Sequence, residues 1–444
     1  MPTDLPAAPA TPSVQPLSDS FRRYALGLLF MICVLNYVDR QIVNILAEKI
    51  RHELGLHDWQ IGAMTGLAFA VFYSILGLPI ARLAERGDRP RIIAAAIVIW
   101  SGFTAVCGLS QTFLQLALAR VGVGVGEAGC TPPAHSLISD YAPKAKRASA
   151  LAFFAMGGPV GGLLGLGIGG VVADHWGWRA AFLVVAGPGI VLGIIAALTL
   201  PEPRRALKFQ GLGSSAPKIA DAIKELRASR TYWLFVFATV MMAVVAYGQG
   251  AFLASFFLRN HVAGLAEMAA VFNLQPTGFL GLAVGLLTGT GGILGALIGG
   301  QIADRWAAKS AKGYASLAAM AALLSVPPYI AAMLAPSAAV ALGLLFLAHL
   351  FFFLSQGPMY AVPQSVVQPR LRATSTAVML LQTNLVGLGL GPLLIGMFSD
   401  YLQAGGMTDG EAIRVAQIIT TLFGLIAAGL YWRARKYIEA DIVS

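Results

Sequence analysis

Residues 25–44 read ALGLLFMICVLNYVDRQIVN. An unbroken apolar run leads into Asn36, Tyr37, Asp39 and Arg40, and helix-like apolar spacing resumes behind them at Ile42, Val43, Ile45 and Leu46. No glycine or proline marks a turn between the two parts. The segment is long enough to cross a bilayer, which takes about 20 residues, and it carries two ionisable groups near its middle. A charge at mid-membrane costs roughly 2.5–3.5 kcal/mol on insertion scales. Asp39 and Arg40 therefore require a partner, a wetted cavity or a function.

The rest of the chain supports a membrane setting. Of its 444 residues 57% are hydrophobic and 12% are charged, against about 25% charged in soluble domains. The formal charge of +10 is explained by topology, as shown below, so no nucleic-acid partner is expected. Cys33, Cys107 and Cys130 all fall in apolar spans, and no disulfide is expected. Residues 1–20 contain five prolines and no apolar run. They read as a disordered tail rather than a signal peptide, with Arg22 and Arg23 anchoring the first span.

Twelve apolar spans follow, near 23–48, 59–83, 91–110, 114–139, 147–173, 178–200, 231–258, 277–303, 312–333, 337–363, 371–400 and 411–433. The long polar stretch 201–230 divides them into six and six. The domains are thus a tail (1–20), an N-terminal bundle (21–200), a linker (201–230), a C-terminal bundle (231–434) and a second tail (435–444). With both termini inside, only Lys49, Arg51, Arg179, Arg259 and Arg414 of the 31 basic residues lie outside, and Arg40 and Arg120 lie within spans. That bias fits the positive-inside rule. In the linker, Ile219, Ile223 and Leu226 share a helical face among Lys218, Lys224 and Arg227, the pattern of a short helix that either lies on the cytoplasmic membrane surface or is solvated.

The two halves repeat one another. LAERGD (83–88) matches IADRWA (302–307), APKAKRASA (142–150) matches QPRLRATST (368–376), GGPVGG (157–162) matches GLGPLLIG (389–396), and Asp174 matches Asp400. Duplicated six-span halves are a plan of secondary transporters, with the site between the halves near the midplane. Glycines in RVGVGVGEAG (120–129) and GGPVGGLLGLGIGG (157–170) permit close helix approach. Gly158-Pro159 weakens its helix at a bend and is a candidate gating element.

Counted along its helix from Arg23, Asp39 lies about 24 Å deep; counted back from Asp140, Glu127 lies about 20 Å deep. Two buried carboxyls and one arginine at similar depth suggest a proton-handling cluster. Asp39 and Glu127 are the expected proton carriers and Arg40 the anion site. Neighbouring residues on a helix point about 100° apart. The expected arrangement turns Arg40 to Glu127 and Asp39 to a polar cavity. Arg120, shallower, is assigned a structural or relay role. Asn36, Tyr37, Tyr73, Tyr247, Gln249, Gln356, Tyr360, Gln382 and Asn384 are candidate cavity residues, with Ser74, His349 and Ser355 as weaker ones. No metal motif, P-loop or nucleophile–base arrangement is present, so neither a cofactor nor enzymatic activity is expected, and a proton gradient is the expected driving force.

The Glu85-Arg86 and Asp304-Arg305 loops resemble the signature loop of the major facilitator superfamily and its second-half echo. Ala81 and Asp88 stand at or near positions where that pattern usually has glycine. GGPVGG resembles the fifth-helix glycine-proline motif of its exporters and antiporters. NYVDR (36–40) with RVGVGVGEAG (120–129) is similar to the spinster family. The resemblance implies an all-α membrane protein with the major-facilitator fold, 12 transmembrane helices in two pseudo-symmetric bundles. It implies gating by Glu85, Arg86, Asp304 and Arg305, and a charged cavity at Asp39, Arg40 and Glu127. It also implies an amphipathic anionic substrate such as a lysophospholipid or sphingolipid phosphate, moved with protons. Organic anion symporters for sugar acids share the NY-x-DR start, so a sugar acid is the alternative substrate, and a non-transporting receptor or scaffold is the alternative class. The expected setting is a monomer in a bacterial inner membrane with both termini cytoplasmic.

Overall fold

Helix α1 (Asp19–Leu54) begins where the Ser18 side chain accepts the Phe21 N–H and stops at Gly55, whose φ of 62° a side chain would resist. This computed structural model describes residues 18–143, 146–203, 226–368 and 371–442. Eleven of its helices are long and apolar enough to span a bilayer. In chain order after α1 they are α2 (Asp58–Ala84), α3 (Arg89–Leu109), α4 (Phe113–Tyr141), the rod Ser149–Thr199, α7 (Arg230–Asn260), α8 (Pro276–Ala307), α9 (Lys312–Met333), α10 (Ala338–Ser365), α11 (Thr374–Ala404) and α12 (Asp409–Ala434). The rod turns back at Gly177, with φ 82° and ψ 164°, so it makes two passes, α5 (149–176) and α6 (178–199). The total is twelve passes, six on each side of the linker. No strand occurs among the described residues.

In the N-terminal half α1 packs on α5 and α3 on α6; in the C-terminal half α7 and α9 pack on α12 and α8 on α10. The halves meet where α5 lies against α8 and α2 against α11. The ends of α1 and α6 meet through Tyr24 and Thr199 (2.8 Å). Asp441 accepts the Thr231 N–H at the start of α7 (2.8 Å). Both described chain ends thus lie at one end of the bundle, here the terminal end; the opposite end is the far end.

The glycine-rich rod is legible residue by residue. Gly157, Gly161, Gly165 and Gly169 recur every four positions and face α1, where a Cβ would meet Cys33, Val34, Val38 and Ile42. Gly167 and Gly170 face α8 instead, and Gly281 of α8 faces the Leu166 carbonyl of α5. One helix is thus shaved on both sides, so that it fits its own half and the other at backbone distance.

Several spans are not continuous α-helix. A turn interrupts α4 at residues 128–130, directly after Glu127, and α10 at residues 354–355, the matching place in the other half. The ladder of α5 breaks at Met156, upstream of Pro159, which has no N–H to donate. Wide π-turns occupy Ala63–Leu67 of α2 and Thr383–Leu388 of α11, the two helices that meet across the halves. Gly158 packs under the Tyr37 ring, which places the bend of α5 beside the charged stretch of α1. A short apolar helix, Val262–Val271, follows α7 at the far end and has no counterpart in the sequence reading.

At the terminal end Arg89 is buried and ties three segments together. Its Nε reaches Glu202 (2.9 Å), its Nη1 reaches Asp140 (2.7 Å) and Ser136 (2.9 Å), and its Nη2 also bonds Glu202. This clamp joins α3, α4 and the exit of α6, so the N-terminal half is held as a unit. The expected linker helix falls mostly outside the described residues, as do Ile219 and Ile223; Leu226 is described and is buried against the C-terminal half. The side chains of Glu85 and Arg86 also lie outside the description. Asp304 and Arg305 are exposed and carry no side-chain ion pair among the described residues.

The two-sided packing of α5 predicts a contrast. Gly161→Ala drives a methyl into the Val34 carbonyl, whereas Gly162 has open space around it. Gly161→Ala should destabilise by about 1–3 kcal/mol and Gly162→Ala by far less; thermal unfolding in detergent followed by tryptophan fluorescence measures both.

Candidate functional site

The site forms where α1, α2 and α4 come together at mid-depth. Position 40 of α1 faces α4 and the space between the halves. There the Arg40 Nε donates to Glu127 Oε2 at 2.6 Å. The Arg40 side chain is 18% exposed and that of Glu127 0%, so the arginine is the lid and the carboxylate lies behind it. The guanidinium carbon is 4.5 Å from the Tyr73 ring centroid, 5.0 Å from Phe69 and 5.6 Å from Tyr37. Three ring faces and one carboxylate therefore hold the cation in a place with little water.

Phe69 has a second role. Arg120 lies over it at 5.3 Å, so two guanidinium groups reach the one ring, and it stacks on Tyr73 at 5.3 Å. Arg120 is buried and forms no ion pair with a described residue. Sequence reading did not single out Phe69; the signal available was its i, i+4 spacing from Tyr73.

Asp39 does not face a cavity. It is 2% exposed, and its neighbours are Trp100 and Thr104 of α3 together with Arg120 and Glu127 of α4. The expected arrangement is corrected here. Arg40 does turn to Glu127, but the 100° offset carries Asp39 into the helix packing of its own half, not to the cleft. Asp39 lies among the side chains of Trp100, Thr104 and Arg120, and Glu127 beside Asn36, so the buried polar groups of this cluster face one another.

The other candidates divide by exposure. Tyr37, Tyr247 and Tyr360 are 37%, 39% and 41% exposed, although each sits deep inside the protein. They come from both halves, so they line an internal cleft, and Tyr37, Tyr73 and Tyr247 all lie within electrostatic reach of Arg40. Gln356, Gln382 and Asn384 are partly exposed. Two expectations are corrected. Gln249 is buried and donates to Thr421 within the C-terminal half (2.8 Å), and Asn36 is buried beside Glu127; neither faces the cleft. Of the weaker candidates, His349 spends Nδ1 on the Leu345 carbonyl of its own helix. No group of three metal-binding side chains occurs among the described residues.

The cleft is closed at the far end. Asp58, fully buried, is gripped by Arg259 (2.8 and 2.6 Å), Ser399 (2.6 Å) and Gln403 (3.0 Å) of the other half. Arg259 also reaches Glu48 (2.9 Å), and Arg51 reaches Asp409 (2.9 Å). Among the described residues, all side-chain hydrogen bonds and ion pairs joining the halves lie at this end.

A family model for the Major Facilitator Superfamily matches residues 29–392. An MFS-type efflux pump of Mycolicibacterium smegmatis is 30% identical over 425 residues, 94% of each chain. The zebrafish (Danio rerio) sphingosine-1-phosphate transporter SPNS2 is 26% identical over 436 residues, 92% of this chain and 84% of that protein. A crystal structure of a bacterial homologue of the human lysosomal transporter spinster, inward-facing and occupied, superposes with a TM-score of 0.82 at 31% identity, covering 96% of this chain and 100% of that one.

The cation between aromatic faces generates a stability prediction. Phe69→Leu keeps most of the volume and removes the ring that both Arg40 and Arg120 approach. It should cost about 1–3 kcal/mol, read as a lowered midpoint of thermal unfolding; an unchanged midpoint would show that the ring only fills space.

Proposed function

The chain belongs to the Major Facilitator Superfamily of membrane transporters, and from that premise we propose that it moves an amphipathic anion by alternating access, with a proton exchanged at Glu127. The carrying observation is the placement of Arg40, open to the cleft on one side and 2.6 Å from a fully buried carboxylate on the other. Its bond to Glu127 uses Nε, so the Nη donors remain for an anion, with Tyr73 beside them.

The cycle follows from competition. An anionic headgroup entering the cleft draws Arg40 away from Glu127. A carboxylate stripped of its cation in a dry site is costly, and it takes up a proton. Release of the substrate returns Arg40 to Glu127 and expels the proton. Asp39 sits behind Glu127 with Arg120 and serves as the inner proton station, out of substrate reach. The tyrosines at 37, 73, 247 and 360 give the remainder of the substrate an amphipathic wall. That wall suits a lysophospholipid or sphingolipid phosphate better than a sugar acid, which needs a denser set of hydrogen bonds. Asp304 and Arg305, with Glu85 and Arg86, are assigned to the gate at the terminal end.

The excess of lysine and arginine at the terminal end supports placing that end, with both termini, in the cytoplasm, as in a bacterial inner membrane. Under that orientation the sealed far end makes the conformation inward-facing.

Proteoliposome flux tests the proposal, with a lysophospholipid and a sugar acid offered in parallel under an imposed pH gradient. The lysophospholipid should move and the sugar acid should not. Glu127→Gln should abolish the response to the gradient. Arg40→Lys should weaken substrate binding at least about tenfold, because an ammonium lacks the planar fork and its stacking. Gradient-driven flux that survives Glu127→Gln contradicts the proton role, and preference for the sugar acid contradicts the substrate class.

A further inference from the structure

Asp174 and Asp400 occupy matching places in the two halves, at the far ends of α5 and α11. Each reaches across to the first turn of a helix in the other half. Asp174 Oδ2 accepts the Gly278 N–H of α8 at 2.6 Å. Asp400 accepts the Asp58 N–H of α2 with Oδ1 at 3.0 Å and the Trp59 N–H with Oδ2 at 2.7 Å. These amides are among the four that a helix start leaves without an internal partner, and the helix dipole adds to the attraction for a carboxylate. Both helices thus take their N-terminal cap from the opposite half.

We propose that Asp174 and Asp400 are a two-fold pair of inter-half helix caps that latch the far end shut and release before the cleft opens there. The inference rests on the alternating-access reading and adds the device that holds one of its states. The two seams differ in their support. Around Asp400 the latch is backed by Asp58 with Arg259, Ser399 and Gln403. Around Asp174, among the described residues, the added ion pair is to Lys49 of the same half, at 2.8 Å. Glycines let the seams close to backbone distance directly beside the caps. A Cβ at Gly170 would clash with the Thr277 carbonyl, and one at Gly396 with the Asp58 carbonyl. The caps and the close contacts therefore form and break together.

Spin labels at Trp176→Cys and Val271→Cys read the separation of the halves at the far end. Both positions are strongly exposed and belong to opposite halves, while the native cysteines are buried, so the parent chain supplies the blank. The pulsed-dipolar distance distribution should be short in the chain that carries only these two labels, the reference for the variants below. Asp174→Ala and Asp400→Ala should each raise the ratio of long to short distances about tenfold, the size expected for losing a charge-assisted hydrogen bond, and the double variant should raise it further. Lys49→Ala, which removes the ion pair and leaves the cap, should stay within about twofold of the reference. An unchanged distribution in either aspartate variant overturns the proposal, and so does a Lys49→Ala variant that reproduces Asp174→Ala. Should the alanine variants fail to fold, Asp174→Asn and Asp400→Asn keep one acceptor oxygen and should show the same direction at smaller size; no shift there overturns it as well. A separate sample of the labelled reference chain with lysophospholipid tests the underlying reading. If substrate never lengthens the distance while the aspartate variants do, the latch stands and alternating access fails.

Discussion

A guanidinium at mid-membrane, bonded to one carboxylate and enclosed by three aromatic rings, is the constraint on which the rest of this molecule depends. Moving Arg40 outward leaves Glu127 a buried carboxylate without its cation, and removing one partner of a buried pair costs several kcal/mol. It cannot be buried further, because Phe69 and the second arginine, Arg120, stand behind it. The position is therefore tense in a useful sense: any competing anion has a donor waiting, and any loss of the pair has an electrostatic consequence one helix away.

The fold supplies the motion that such a pair needs. Each half is internally tight: the Arg89 clamp fixes α3, α4 and the end of α6, and the glycine stripe of α5 seats it on α1 at backbone distance. The halves touch mainly along two seams, α5 with α8 and α2 with α11, and among the described residues the polar bonds between them gather at one end. Rigid bodies joined along two matched seams rock more readily than they deform. The breaks in α4 and α10 and the π-turns in α2 and α11 fall on helices that carry site residues or seams.

Much of the architecture was legible in the sequence because membrane spans are specified by length and apolarity alone. The twelve expected spans correspond to the twelve passes within a few residues, and the Gly177 reversal falls in the gap left between the fifth and sixth. Similar depth made Glu127 a candidate partner for Arg40, without choosing it. The facing of Asp39 was not: spacing gives the angle between neighbouring side chains, not the absolute rotation of the helix. The same limit hid the inward turn of Gln249 and Asn36, since a polar residue in a span reads alike toward a cleft and toward a neighbouring helix. Phe69, Trp100 and Thr104 were invisible because aromatic and small polar residues are common throughout such spans. The repeat of Asp174 and Asp400 was evident, but their partners are backbone amides, which carry no sequence signature.

The central claim is that Glu127 exchanges Arg40 for a proton when substrate binds. Substrate-induced infrared difference spectroscopy reads this directly. Addition of lysophospholipid should produce the carbonyl stretch of a protonated carboxyl group and remove a carboxylate band, and both changes should vanish in Glu127→Gln. Substrate binding with no new protonated carboxyl, or with a signal that persists in Glu127→Gln, would contradict the account.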